Sequence, residues 1–274
     1  MLIALFSDVH GKILRCFKLV ERWEKENDKK IDLILQTGDL GIFPDSERLD
    51  SATKKHLAKD EEELGFYNDF YQKSRRTERV LKKLDCDLVF MRGNHEDHIF
   101  LDSLEVEYED VIFPVDTYKR IFCLKSGMVY TFSKGSEKIR IVGIGRIGGE
   151  TKKKQDMKSI QEYERHRIIS LTEDFDLLLT HDSPKDIVTI GFGAEEINLV
   201  FEKFNPIYHF YGHTGEDFNI RKIKETTLVK LSDLRWEKKG EYSVLKSNCM
   251  AILEWKDRKN HSLDVVHTYW SKKY

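Results

Sequence analysis

Five short stretches of this 274-residue chain carry side chains that can hold a metal ion or move a proton. They are Asp8-Val9-His10, Gly38-Asp39, Gly93-Asn94-His95-Glu96, Thr180-His181-Asp182 and Gly212-His213. Carboxylate, amide and imidazole donors give mixed N/O ligation, which suits Mn, Fe, Zn, Co or Ni, and ligand type alone does not choose among them. Asp39 has two carboxylate oxygens and can bridge a pair of ions. Asn94, His181 and His213 are neutral ligands, and they leave a bound cation enough charge to polarise a phosphoryl oxygen. In extended backbone, residues two apart project to one side, so Asp8 and His10 are expected to grip one ion together. Taken singly, DxH and GD are common in ordinary turns; the ordered set is what carries weight.

Each stretch closes an apolar run. LIALFSD, IDLILQTGD, CDLVFMRGN, IRIVGIG, FDLLLTHD and PIYHFYGH read as buried strands, and longer amphipathic segments separate them. That alternation predicts a layered α/β fold whose strand C-termini share the edge where ligands bind. Residues 13–25 have helical spacing (Ile13, Phe17 and Val20 on one side), which predicts a βαβ opening. Glycines 38, 93 and 212 are expected to let the backbone turn out of the sheet close to the site. Beyond Gly215 the texture is β-rich, with a late hairpin expected around the charged DRKN turn. Without a repeat or low-complexity linker, a single domain over 1–274 is expected.

Composition narrows the class. Hydrophobic residues make up 40%, enough for a sizeable core, and charged residues make up 34% with a net charge of −2. No global field draws in nucleic acid, so polyanion binding would need a local patch. The four cysteines (Cys16, Cys86, Cys123, Cys249) form no CxxC pair, so they are expected to be reduced and buried. MLIALF is too short for a signal peptide, and no apolar run spans a bilayer; a cytoplasmic location with no membrane partner is expected.

The ordered blocks resemble the calcineurin-like metallophosphoesterases, whose pattern is DxH, GD, GNH[ED], H and GHxH. DVH at 8–10, GD at 38–39, GNHE at 93–96, the histidine of THDSP at 181 and GHTG at 212–215 match all but the last position, where Gly215 stands for a histidine. The resemblance spans residues 1 to about 217. It implies a four-layer sandwich of two β-sheets flanked by helices, with two divalent ions, manganese favoured, at the strand ends. Asp8, His10 and Asp39 correspond to ligands of the first ion; Asp39, Asn94, His181 and His213 correspond to those of the second. His95 corresponds to the residue that contacts the phosphate and protonates the leaving group, and Asp45 is a candidate to orient it. The implied reaction is hydrolysis of a phosphate ester by a hydroxide bridging the ions. With Gly215 in place, a weaker first ion is expected, and Asp217 is a candidate substitute ligand if the segment stays extended.

The long excursion at 46–84, its FYNDFY aromatics, the IGG at 147–149 and the HDSP block resemble RNA lariat debranching enzymes and related nucleases. Those enzymes carry cysteine where this chain has His10, and they have a further C-terminal region. A phosphodiesterase acting on nucleotides or nucleic acid is therefore favoured; the alternatives are a phosphomonoesterase acting on a phosphoprotein or small metabolite, and a non-catalytic scaffold. The excursion is expected to be helical, its aromatics (Phe66, Tyr67, Phe70, Tyr71) packing on the domain; a lesser reading has Lys73, Arg75, Arg76 and Arg79 beside exposed rings that stack bases. GIGRIG at 143–148 matches a dinucleotide fingerprint but lacks the apolar helix that should follow, so it reads as a turn from which Arg146 could reach a phosphate.

Overall fold

The computed structural model describes residues 1–58, 60–149, 156–267 and 272–273. In chain order its strands are β1 (Leu2–Phe6), β2 (Leu33–Gln36), β3 (Asp87–Phe90), β4 (Ile112–Pro114), β5 (Ile121–Leu124), β6 (Val129–Lys134), β7 (Glu137–Ile144) and β8 (Leu177–Thr180). Then follow β9 (Tyr208–Tyr211), β10 (Asn219–Ile223), β11 (Thr226–Lys230), β12 (Trp236–Lys239), β13 (Tyr242–Leu245), β14 (Met250–Trp255), β15 (His261–Val266) and β16 (Lys272–Lys273). The helices are α1 (Ile13–Asn27), α2 (Ser51–Leu57), α3 (Arg75–Leu81), α4 (His98–Glu107), α5 (Glu162–Ile169) and α6 (Glu195–Lys203).

Alternation within the strands builds the layers. In β1, Ile3 and Leu5 face one cluster, together with Leu33, Leu35, Val89, Ile141, Leu179 and Phe210; this is the space between two sheets. Ala4 and Phe6 point the opposite way, onto Phe17 and Val20 of α1. Val142, Ile144 and Leu178 cover the outer side of the second sheet, under α5 and α6. Three buried clusters thus separate four layers: helix, sheet, sheet, helix. The sheets run in the orders β15-β14-β1-β2-β3-β5-β4 and β10-β11-β9-β8-β7-β6, and a small third sheet is β12-β13-β16. β1, β2 and β3 are mutually parallel, as are β7, β8, β9 and β11.

The C-terminal strands complete what precedes them. β14 pairs antiparallel with β1, and β15 with β14, forming the expected hairpin; β11 adds to β9 in the other sheet. The excursion at 46–84 is helical in broken pieces, with short turns at Ser46–Arg48, Glu61–Leu64 and Tyr67–Tyr71 between α2 and α3. Two of its four aromatics are core: Phe66 and Phe70 are fully buried, and Phe70 stacks on Phe17, while Tyr67 is half-buried. Tyr71 is exposed beside the exposed Lys73, Arg75 and Arg79, while Arg76 is tied to Asp69 at 2.5 Å. All four cysteines are buried. Among the described residues, no helix is long and apolar enough to cross a membrane.

Candidate metal centre

The C-terminal ends of β1, β2, β3, β8 and β9 deliver the predicted residues to one edge. Asp8, Asp39 and His181 place ligating atoms within 4.8 Å of one another. The Nε2 of His181 lies 3.2 Å from an oxygen of Asp39 and 2.9 Å from Oδ1 of Asn94. The other Asp39 oxygen lies 4.0 Å from Nε2 of His10. The His213 ring centroid is 5.1 Å from that of His181. Asp39 therefore stands between His10 on one side and His181 with Asn94 on the other.

Backbone conformation, not strand alternation, aims these side chains. Asp8 (φ 26°), His10 (φ 47°), Asp39 (φ 54°) and His213 (φ 63°) all occupy the left-handed region that costs most residues energy. The expectation of an extended Asp8-to-His10 segment is thus corrected: a turn brings both toward Asp39, because the chain leaves β1 by coiling beneath the Asp39 carbonyl, which accepts from the amides of Val9 and His10. Gly38 (φ 101°) lies so near His181 that a Cβ would fall 2.5 Å from its Nδ1. A Cβ on Gly93 would collide with the backbone nitrogen and carboxylate of Asp39. Glu96 fixes the same turn, accepting from the amides of Leu40 (2.9 Å), Gly41 (3.1 Å) and Ile42 (2.6 Å).

The donor set fits a divalent cation. Two buried carboxylates converge with imidazoles and an amide oxygen. Burial disfavours charge on His181, yet Asp39 and Asp8 outweigh it and raise its pKa to about 9. The carboxylates thus draw a proton to the point where a metal ion would satisfy them. Asp39 itself is held well below the usual carboxylate range: burial opposes this, and His181 and His10 overcome it.

His95 stands beside these residues, its ring 5.7 Å from that of His10 and its amide donating to Asp39. Its Nδ1 meets Oδ2 of Asp50 at 2.6 Å. Burial works against a charged His95 ring, but Asp50 and Asp39 raise its pKa overall. The Asp45 expectation is therefore corrected: Asp45 caps the turn at Ser46–Arg48 through the amide of Glu47, and Asp50 is the partner of His95. Asp50 also caps α2 by accepting from the Thr53 amide, and no sequence spacing announces a contact across 45 residues.

Two further expectations fail on packing. Arg146 is fully buried, bonded at 2.7 Å to Asp102 and lying 3.0 Å from Glu164, so it holds the turn after β7 and reaches no substrate. The run at 150–155 that follows the GIGRIG turn lies outside the described residues. Asp217 is exposed and paired with Lys246, since left-handed turns at His213 and Gly215 break the extended geometry that would have turned it inward.

One neighbour was not anticipated. Lys230, at the end of β11, is buried and sets its ammonium 2.6 Å from Oδ2 of Asp8, 3.3 Å from Asp233 and 3.4 Å from Ser7 Oγ. Burial alone would discharge it, but Asp8 and Asp233 raise its pKa. The signal was present in the chain: a lysine inside the apolar strand TTLVKL is a buried charge that needs a partner. Beyond His213 a cleft of about 1000 Å³ opens, lined by Asp182, Lys185, Phe192 and Glu196 among others. Phe192 at its mouth is 69% exposed.

Known proteins resemble this chain in sequence and in fold. A sequence model of the calcineurin-like phosphoesterase family matches residues 1–217. A lariat debranching enzyme of Arabidopsis thaliana is 21% identical over 247 residues, covering 78% of this chain and 54% of that protein. This chain therefore spans about half the length of that curated relative. The protein TT1561 of Thermus thermophilus superposes with a TM-score of 0.50 at 13% identity, covering 96% of this chain and 98% of the other. Another solved structure reaches 0.56 at 14% identity, covering 97% and 98%.

Proposed function

Because the chain belongs to the calcineurin-like phosphoesterase family of phosphoric ester hydrolases, we propose that it is a metal-dependent phosphodiesterase acting on nucleotides or nucleic acid. The observation that carries this reading is the position of Asp39, between His10 on one side and His181 with Asn94 on the other, with a protonatable His95 alongside. Asp39, Asn94, His181 and His213 hold one ion, and Asp8, His10 and Asp39 hold a second more weakly, manganese being the favoured metal. Such ions supply Lewis-acid charge at the phosphoryl oxygens and lower the pKa of water.

The protein's own groups do the remainder. With Nδ1 of His95 engaged by Asp50, its Nε2 is the nitrogen left to pass a proton to the departing oxygen. Asp50 fixes the ring's tautomer and stabilises its charged form. The cleft beside His213 has room for a nucleotide-sized group, and it offers the Phe192 ring to a base and the Lys185 ammonium to a phosphate. The debranching activity named for the Arabidopsis relative also favours a diester. Reduced, buried cysteines suit a cytoplasmic location.

Turnover of bis-p-nitrophenyl phosphate beside p-nitrophenyl phosphate, with added manganese, tests the proposal. Preference for the diester is expected, and preference for the monoester would give the function to a phosphomonoesterase. If Asp39→Asn changed neither activity nor bound metal, the hydrolase reading would be lost.

A further inference from the structure

Gly215 and Lys230 bear on the same expected ligand group, Asp8, His10 and Asp39. Gly215 removes a ligand from the first-ion group, leaving Asp8, His10 and Asp39. Both oxygens of Asp8 are already engaged: Oδ1 accepts from the His213 amide at 3.1 Å, and Oδ2 takes the Lys230 ammonium at 2.6 Å together with the Ser7 hydroxyl. Lys230 is not placed there by chance of a flexible stem. Its side chain is 1% exposed, and Leu231 O at 3.0 Å and Asp233 at 3.3 Å hold the same ammonium. The parallel bridge between Ser7 and Asp233 fixes the Lys230 end of β11 beside the end of β1. A fixed unit charge a few ångströms from a second cation opposes its binding, and in a buried setting little screening weakens that opposition.

Resting on the hydrolase reading above, we propose that the Lys230 ammonium takes the place of a cation on Asp8, so that this chain holds one divalent ion tightly and its first-ion group binds a second only weakly. Lys230 is a positioning residue: it neutralises and aims Asp8 without touching substrate. The tight ion belongs to Asp39, Asn94, His181 and His213, and the loss of the ligand at 215 is matched by a built-in positive charge.

Equilibrium dialysis against rising free manganese, with bound metal counted per chain and spin-coupled ion pairs read by electron paramagnetic resonance, tests this on the full chain. Wild type is expected to fill one site at least about tenfold more tightly than the second, with no coupled pair at one equivalent. Lys230→Met is expected to tighten the second ion about tenfold and to bring the coupled-pair signal to lower manganese. Lys230→Gln retains a donor to Asp8 without the charge and should behave likewise; it serves if the methionine variant does not fold by circular dichroism. Two equally tight ions in the wild type would overturn the inference, as would folded Lys230→Met and Lys230→Gln proteins with unchanged second-ion affinity. Both results leave the hydrolase reading standing. Absence of any bound ion in wild type would overturn the two together.

Discussion

At the scale of the residue, the pair His95 and Asp50 makes the sharpest predictions. A histidine that protonates a leaving group must carry its proton, so activity should fall as pH rises through its pKa, which Asp50 and Asp39 hold up against burial. Asp50→Asn removes the charge but retains an oxygen for the Thr53 amide, so the cap of α2 survives. Its pH-rate profile should lose activity at lower pH than the wild type, and an unshifted alkaline limb would remove Asp50 from the mechanism. The stability sign agrees: a raised histidine pKa contributes stability below the unfolded value, and that contribution is lost as pH rises through the folded one. His95→Gln should cost about a hundredfold or more in kcat while bound metal stays unchanged. A parallel loss of metal would instead make the His95 ring a support for its neighbour His10, 5.7 Å away between ring centroids.

At the scale of the element, what matters is how a strand end becomes a ligand. Glu96 gathers the amides of Leu40, Gly41 and Ile42, three donors that follow Asp39 directly. Glu96→Ala would leave them buried without acceptors, at a cost of about 3 kcal/mol or more. Denaturant unfolding should show that loss, with weaker metal binding beside it; an unchanged midpoint would mean the turn stands by itself. The strand ends themselves were legible because each apolar run stops at a polar residue, and the close glycines because Gly38 and Gly93 sit where a Cβ meets His181 or Asp39. What sequence could not convey was conformation past the strands. Period-two alternation requires extended backbone at Asp8 and at Gly215, and both segments turn left-handed. Nor could local spacing reveal partners that only folding brings together, such as Asp50 with His95 or Lys230 with Asp8.

At the scale of the whole molecule, the two sheets and the proposed metal centre would form one thermodynamic unit, because the candidate ligands follow strands of both. Asp8, Asp39 and Asn94 follow strands of the first sheet; His181 and His213 follow strands of the second. An ion that binds only when the sheets are packed stabilises the folded state by mass action, about 2.7 kcal/mol at a hundredfold excess over Kd. The size of that gain depends on pH through His181. Its folded pKa, about 9, lies above the unfolded value, so the metal-free protein has this stabilisation in full below about 6.5 and loses it as pH rises toward 9. A metal ion needs the neutral imidazole, so the proton competes with it and affinity climbs over the same interval. Both describe the loss of one proton, so the gain from metal rises once over that interval. Thermal melts with and without a fixed excess of manganese should therefore differ by more at pH 9 than at pH 6.5, the metal-free curve falling while the metal-bound curve holds. A difference that is constant across that range would mean that His181 carries no proton in the metal-free protein, and that the opposing carboxylates are balanced by another charge, for which Lys230 is the nearest source on Asp8.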